Sequence, residues 1–135
     1  MAEGSALSRE GLERVMEDLR ALSEEITTAA VLSEDGELMV STLPSGVDRE
    51  RHAAMLAALA DLTDRTAREN GASRFAQVRI REEAGSVLLV GLEGGGTLAA
   101  TTGPEARVGL VLYDMRNVRR ELEQALGSSG EGRPR

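Results

Sequence analysis

His52 is the only histidine in the chain, and it opens the stretch "HAAMLAALA". A histidine titrates near neutral pH, so a serine partner would suggest proton relay to a nucleophile. Ser41 and Ser45 lie upstream, and a Ser–His–acid relay can be written with either. No glycine-flanked nucleophile elbow of the G-x-S-x-G kind exists to present such a serine, so His52 reads as a helix residue, solvated or at an interface. The absence of cysteine removes thiolate nucleophiles, disulfides and zinc–thiolate sites together. Metal binding would then rest on carboxylates alone. The pairs Glu24/Glu25 and Glu82/Glu83 are adjacent in sequence, so they diverge or solvate a loop, and no calcium-loop spacing is present. "GLEGGGTL" lacks the Lys-Ser/Thr of a phosphate-binding loop and precedes a short apolar run instead of a helix, which makes it a glycine-rich hairpin turn. Arg79 and Arg81 alternate on one strand face, where they would contact an acidic partner or a phosphate, although such residues more often form a solvated sheet face or pair with nearby Glu. The sequence names no catalytic residue, no cofactor and no metal.

The elements that would carry these residues follow from periodicity. Leu12, Val15, Met16, Leu19 and Leu22 form one helical stripe over residues 8–23. "ITTAAVLSEDGELMVST" reads as strands over 26–33 and 37–42, joined at Glu34-Asp35-Gly36, because glycine accepts the positive φ of a hairpin turn. A second helix is predicted from Asp48 to Asn70, capped by Asp48 or Ser45 and stopped at Gly71. "RFAQVRIRE" alternates, with Ala76, Val78 and Ile80 on one side and Phe75, Gln77, Arg79 and Arg81 on the other. "SVLLVGLE", apolar on both faces, predicts a central strand, and "TLAATT" a last short one. "VGLVLY" alone suits a strand, but Val108, Val111, Leu112, Met115, Val118 and Leu122 continue at helical spacing. One helix over 105–126 is therefore expected, with Pro104 in its first turn and Gly127 as its stop. The order α-β-β-α-β-β-β-α predicts an α+β fold, an antiparallel sheet with helices on its faces. Residues 1–7 and 127–135 are expected to be flexible or disordered tails around a domain over 8–126.

Composition narrows the function classes. At 135 residues there is room for one domain. A net charge of −7 argues against nucleic acid as the main partner, and it offers no broad basic patch to anionic lipid. No apolar run approaches a membrane span, and residues 1–10 lack a signal-peptide core, so the protein is expected to be cytoplasmic and soluble. Tyr113 and Phe75 are the only aromatic residues, so base stacking has almost no platform and the core must be aliphatic. Dimerisation would add the buried area that such a core lacks.

The second helix is the positive signal. Met55, Leu56, Leu59, Leu62, Thr63 and Thr66 supply one face, while Ala53, Ala54, Ala57 and Ala58 fill much of the rest, and charge returns only from Asp61 onward. One small sheet covers only one side of such a helix. The other must meet solvent, another helix or another chain, and contiguous exposed apolar surface marks an interaction site.

Three stretches in this order resemble the roadblock family, which includes dynein light chains of the roadblock type and bacterial regulators of Ras-like GTPases. "AAVLSEDGELMVST" is similar to the family's first hairpin, "DRERHAAMLAALADLTDRTA" to its alanine-rich second helix, and "GLVLYDMRNVRRELEQAL" to its final helix. The resemblance implies a five-stranded antiparallel, profilin-like sandwich, with the second helix on one face and the terminal helices on the other. It also implies a homodimer in which third strands pair across a two-fold axis and second helices pack side by side. Here that maps to strand residues 74–82 and helix residues 52–63, so the expected interface includes His52, Met55, Leu56, Leu59, Leu62, Thr63, Phe75, Gln77 and Arg79. The function it implies is a non-enzymatic adaptor that regulates a small Ras-like GTPase. The alternatives are a structural scaffold of the dynein-light-chain kind, a small-ligand sensor of the related sandwich type, and, as an outsider, a hydrolase using His52.

Overall fold

The computed structural model describes residues 2–128. In chain order they form α1 (Ala2–Leu22), β1 (Ile26–Leu32), β2 (Leu38–Ser41), α2 (Val47–Glu69), β3 (Gln77–Glu82), β4 (Gly85–Gly91), β5 (Thr97–Thr102) and α3 (Val108–Ser128). The strands make one antiparallel sheet in the order β2-β1-β5-β4-β3, so the last strand in the chain lies at its centre and β2 and β3 are its edges.

Side chains of the sheet divide between two cores. On one face, Leu88 and Val90 of β4, with Leu98 and Ala100 of β5, pack under α1 and α3. Leu12, Val15, Met16 and Leu19 come down from α1, and Val108, Val111, Leu112, Met115, Val118 and Leu122 from α3, as their spacing predicts. On the other face Ala30, Leu32, Leu89 and Ala99 meet α2 alone. The predicted architecture, with terminal helices on one side and the second helix on the other, is the one observed.

Several boundaries differ from expectation. Helix α1 starts at Ala2 rather than Ser8, and its predicted stripe stops at Leu19, leaving Leu22 exposed at the helix end. Helix α3 starts at Val108, with Pro104 in the preceding turn, and runs through Gly127 to Ser128. The rest of the predicted C-terminal tail, residues 129–135, lies outside the described residues. Neither Asp48 nor Ser45 caps α2: Gly46 holds the N-cap position and no side chain bonds there. At the other end Gly71 stops the helix as predicted. Its φ of 86° lets its N–H reach the Arg68 carbonyl while the Ala72 N–H reaches Ala67. The β1–β2 hairpin turns at Gly36, whose N–H donates to the Ser33 carbonyl at 3.0 Å, and the triple glycine closes β4 to β5 as a turn.

Glu25 is no idle member of an acidic pair. Its carboxylate accepts the Arg107 backbone N–H at the approach to α3 and the Arg107 Nε–H at 2.7 Å. The Arg107 side-chain bond first, and its backbone N–H second, hold the Glu25 pKa below its ordinary 4.5. A lowered pKa means that this contact stabilises the fold above the ordinary carboxylate range and is lost as pH falls through the folded value. In thermal melts, Glu25→Gln should therefore lower Tm modestly at neutral pH, with the gap to the parent closing as pH falls below about 4. A gap that does not change with pH would contradict this role.

Candidate functional site

Helix α2 forms because alanine, leucine and methionine dominate its middle and neither glycine nor proline interrupts it. What sets its rotation is the sheet beneath. Ala30 and Ala99 are small enough to let the helix approach, and Leu56, 1% exposed, fills the gap with Ala60, Phe75 and Leu89. Residues two apart on a helix point about 200° from one another. With Leu56 inward, Ala54 and Ala58 therefore point out, and both are exposed. Val47 (67% exposed), Met55 (46%) and Leu62 (59%) lie on the same outer side. The result is an exposed apolar patch of Ala54, Met55, Ala58 and Leu62, with the exposed Arg51 lying between it and Val47 one turn earlier. Small residues there allow close approach of a second helix.

The structure separates the predicted interface residues of α2, together with Phe75, into three groups. Met55 and Leu62 are exposed on the patch. His52, Leu59 and Thr63 are half-buried on its flank, and the Thr63 hydroxyl donates to the Leu59 carbonyl at 2.7 Å. Leu56 and Phe75 belong to the protomer's own core and are removed from the surface set. The sequence reading missed Val47, whose outward placement follows from the rotation of the helix.

Strand β3 begins at Gln77, later than the predicted 74–82 span, and this breaks the expected alternation. Residues 74–76 are irregular, so Phe75 turns to the same side as Val78, under α2. Within the strand itself the alternation holds. Val78 lies on the α2 side, and Ile80, two residues on, shares it while 40% exposed. Gln77 and Arg79 sit opposite Val90 and Leu88 and so face the α1–α3 side, where Arg116 donates to Gln77 Oε1 at 3.0 Å. One edge of β3 is paired with β4 and the other is open. An open edge offers unpaired backbone N–H and C=O groups to a further strand.

Arg74 fastens this region. Its Nε–H donates to Asp64 Oδ1 on α2 at 3.2 Å. Its Nη1 donates to the carbonyls of Leu92 and Gly96 at 2.6 and 2.8 Å. The Phe75 ring lies 5.0 Å below the guanidinium. One side chain thus ties α2, the approach to β3 and the β4–β5 turn together. Nothing in local sequence points to it, because its hydrogen-bond partners lie 10 to 23 residues away.

Beside α2, the hairpin turn and the β4–β5 turn enclose a hollow lined by Glu34, Asp35, Asp61 and Asp64 with Ala57 and Ala60. Among the described residues no three His, Cys, Asp or Glu side chains gather closely enough to hold a metal ion. Among them, too, no helix is long and apolar enough to cross a membrane.

The family model of the Roadblock/LC7 domain matches residues 13–102. No curated protein matches the chain. Among solved structures, Myxococcus xanthus MglB superposes with a TM-score of 0.79 at 16% identity, covering 90% of this chain and 91% of that one. An MglB described with a tetrameric arrangement gives 0.78 at 16% identity, covering 90% and 92%. A Roadblock/LC7 domain from Streptomyces avermitilis gives 0.74 at 21% identity, covering 83% and 94%. At these identities the superpositions establish the fold.

Proposed function

The chain belongs to the Roadblock/LC7 domain family, and from that premise we propose that it is a non-enzymatic homodimeric adaptor that binds and regulates a small Ras-like GTPase. The family resemblance supports this reading, since the family includes bacterial regulators of such GTPases. The observation that carries it is the exposed apolar patch of Ala54, Met55, Ala58 and Leu62 on α2, beside the open edge of β3. Two copies related by a two-fold axis would pair their β3 edges and bring their α2 helices side by side, each patch meeting itself. Sheet extension satisfies the edge, and helix contact removes the patch from water. Of the residues expected at the interface, Met55 and Leu62 would be central, with His52, Leu59 and Thr63 flanking and Gln77 and Arg79 beside the strand seam.

The paired helices would form the platform on which the GTPase docks. A regulator shifts a conformational equilibrium only by as much as its affinities for the two states differ. The test is therefore the affinity of the protein for small GTPases loaded with GDP or with a non-hydrolysable GTP analogue, measured by titration calorimetry. The expected result is one nucleotide state bound about tenfold or more tightly than the other, the usual size of a coupling between sites. Equal affinity for both states would leave a scaffold and remove regulation, and absence of binding would remove the GTPase.

A further inference from the structure

A second surface, on the opposite face from α2, has the wrong sign for the molecule that carries it. The chain has a net charge of −7. Yet Arg79 and Arg81 project together from β3 onto the α1–α3 side, across from Leu88 and Ser86. The neighbouring helix α3 adds Arg116, which reaches Gln77 of β3 at 3.0 Å, and Arg120 one turn later. Tyr113, 55% exposed, precedes Arg116 by three residues and so stands on the same flank of α3. None of these four arginines makes an ion pair among the described residues. The pairs that do form are Asp61–Arg65, Asp64–Arg74, Glu25–Arg107 and Glu123–Arg119. Glu82, the nearest acid on β3, alternates to the other face.

We propose that this groove between β3 and α3 binds a short acidic segment of a partner protein. Guanidinium groups present forked donors that match carboxylates two at a time, which suits aspartate and glutamate side chains. Tyr113 adds an amphipathic contact beside them. The size of the patch decides against a nucleic acid or an anionic membrane. Arg81 lies about 13 Å along β3 from Gln77, where Arg116 sits, and Arg120 is a further turn of about 5.4 Å in the opposite direction, so the patch spans roughly 20 Å, the reach of about six residues of extended peptide. A short acidic peptide feels the local arginines while the remaining negative charge is screened. A long polyanion or an extended lipid surface would also meet the acidic remainder of the molecule. In the proposed dimer, pairing of β3 with β3 would lay two such grooves next to each other. That doubling rests on the dimer, whereas the groove is complete in one protomer.

The test is fluorescence anisotropy with labelled octa-glutamate as the probe, at about 0.15 M salt where the surrounding charge is screened. The full chain should bind it. Arg116→Glu with Arg120→Glu should weaken binding by about tenfold or more, while the same charge change at Arg9 and Arg14 on α1 should leave it within about twofold. Arg79→Gln with Arg81→Gln provides a second, milder disruption, with circular dichroism confirming the fold of each variant. Equal loss in the Arg9/Arg14 control, no loss in both groove variants, or tighter binding of a single-stranded oligonucleotide or of phosphatidylserine vesicles than of the peptide would overturn the proposal. Light scattering on the same samples keeps the two readings apart. A monomer that binds the peptide counts against the dimer alone, and a dimer that ignores it counts against the groove alone.

Discussion

Leu62→Asp is expected to leave the protomer folded and to abolish self-association. In the free protomer Leu62 is 59% exposed, so an aspartate there keeps most of its hydration and costs little. In the proposed dimer the same position is covered by the partner's helix. Removing an unpaired carboxylate from water costs several kcal/mol, and about 3 kcal/mol already weakens association more than 100-fold. By symmetry each dimer carries the charge twice, and the two carboxylates would lie near one another. Size-exclusion chromatography with light scattering should show a dimer for the parent and a monomer for the variant, with matching circular dichroism spectra. A variant that keeps the parent's dimer mass would remove α2 from the interface. Binding to the GTPase should fall with the dimer, because the platform is made of two helices. Leu56→Asp, earlier on the same helix but pointing inward at 1% exposure, should instead destabilise the protomer itself.

The contrast between Leu56 and Leu62 marks the limit of what the sequence discloses. A stripe of apolar residues among charges, such as Leu12, Val15, Met16 and Leu19 in α1, carries its own phase, and it packs as its spacing predicts. Asp35-Gly36 and Gly71 announce their turns because only glycine takes those φ values cheaply. Helix α2 is different. Alanine and leucine occur all around its middle turns, so the run itself says only that more than one surface must be covered. The rotation that turns Leu56 inward and Met55 and Leu62 outward is set by Ala30 and Ala99, small residues on strands distant in sequence. The same holds for Phe75. Its place in an alternating run suggests one strand face, but the strand does not begin until Gln77, and an irregular approach turns the ring into the core. The element order predicts five antiparallel strands. It does not by itself place β5 at the sheet centre and β3 at an edge, and that placement makes β3 available for pairing.

Arg74→Ala should produce the largest loss of stability from any single polar side chain outside the two cores. The guanidinium donates to Asp64, to the carbonyls of Leu92 and Gly96, and to Thr97 Oγ1, with Arg74 and Asp64 side chains only 20% and 22% exposed. Truncation removes the second donor from the Leu92 and Gly96 carbonyls, which keep the N–H groups of Gly95 and Leu92, and leaves the Asp64 carboxylate in a poorly hydrated position, where the Phe75 N–H at 3.4 Å is its remaining partner. Breaking a partly buried, hydrogen-bonded charge of this kind costs about 2–4 kcal/mol, or roughly 10 °C in Tm for a domain of this size. Arg74→Lys should recover little, because an ammonium cannot reproduce the planar fork that serves three segments at once. Asp64→Ala in the Arg74→Ala background should cost less than it does alone, since it removes an acid already orphaned, giving a coupling energy of about 1–3 kcal/mol in the double-mutant cycle. The consequence reaches the proposed interface. Arg74 sets β3 relative to α2, and a dimer that uses the edge of one and the patch of the other requires both at a fixed spacing. Loss of the arginine should therefore weaken self-association even at temperatures where the protomer stays folded. Additive single-variant effects, or a Tm change under about 2 °C, would mean that the hydrophobic contact of Phe75 with Leu56 and Leu89 holds this spacing unaided.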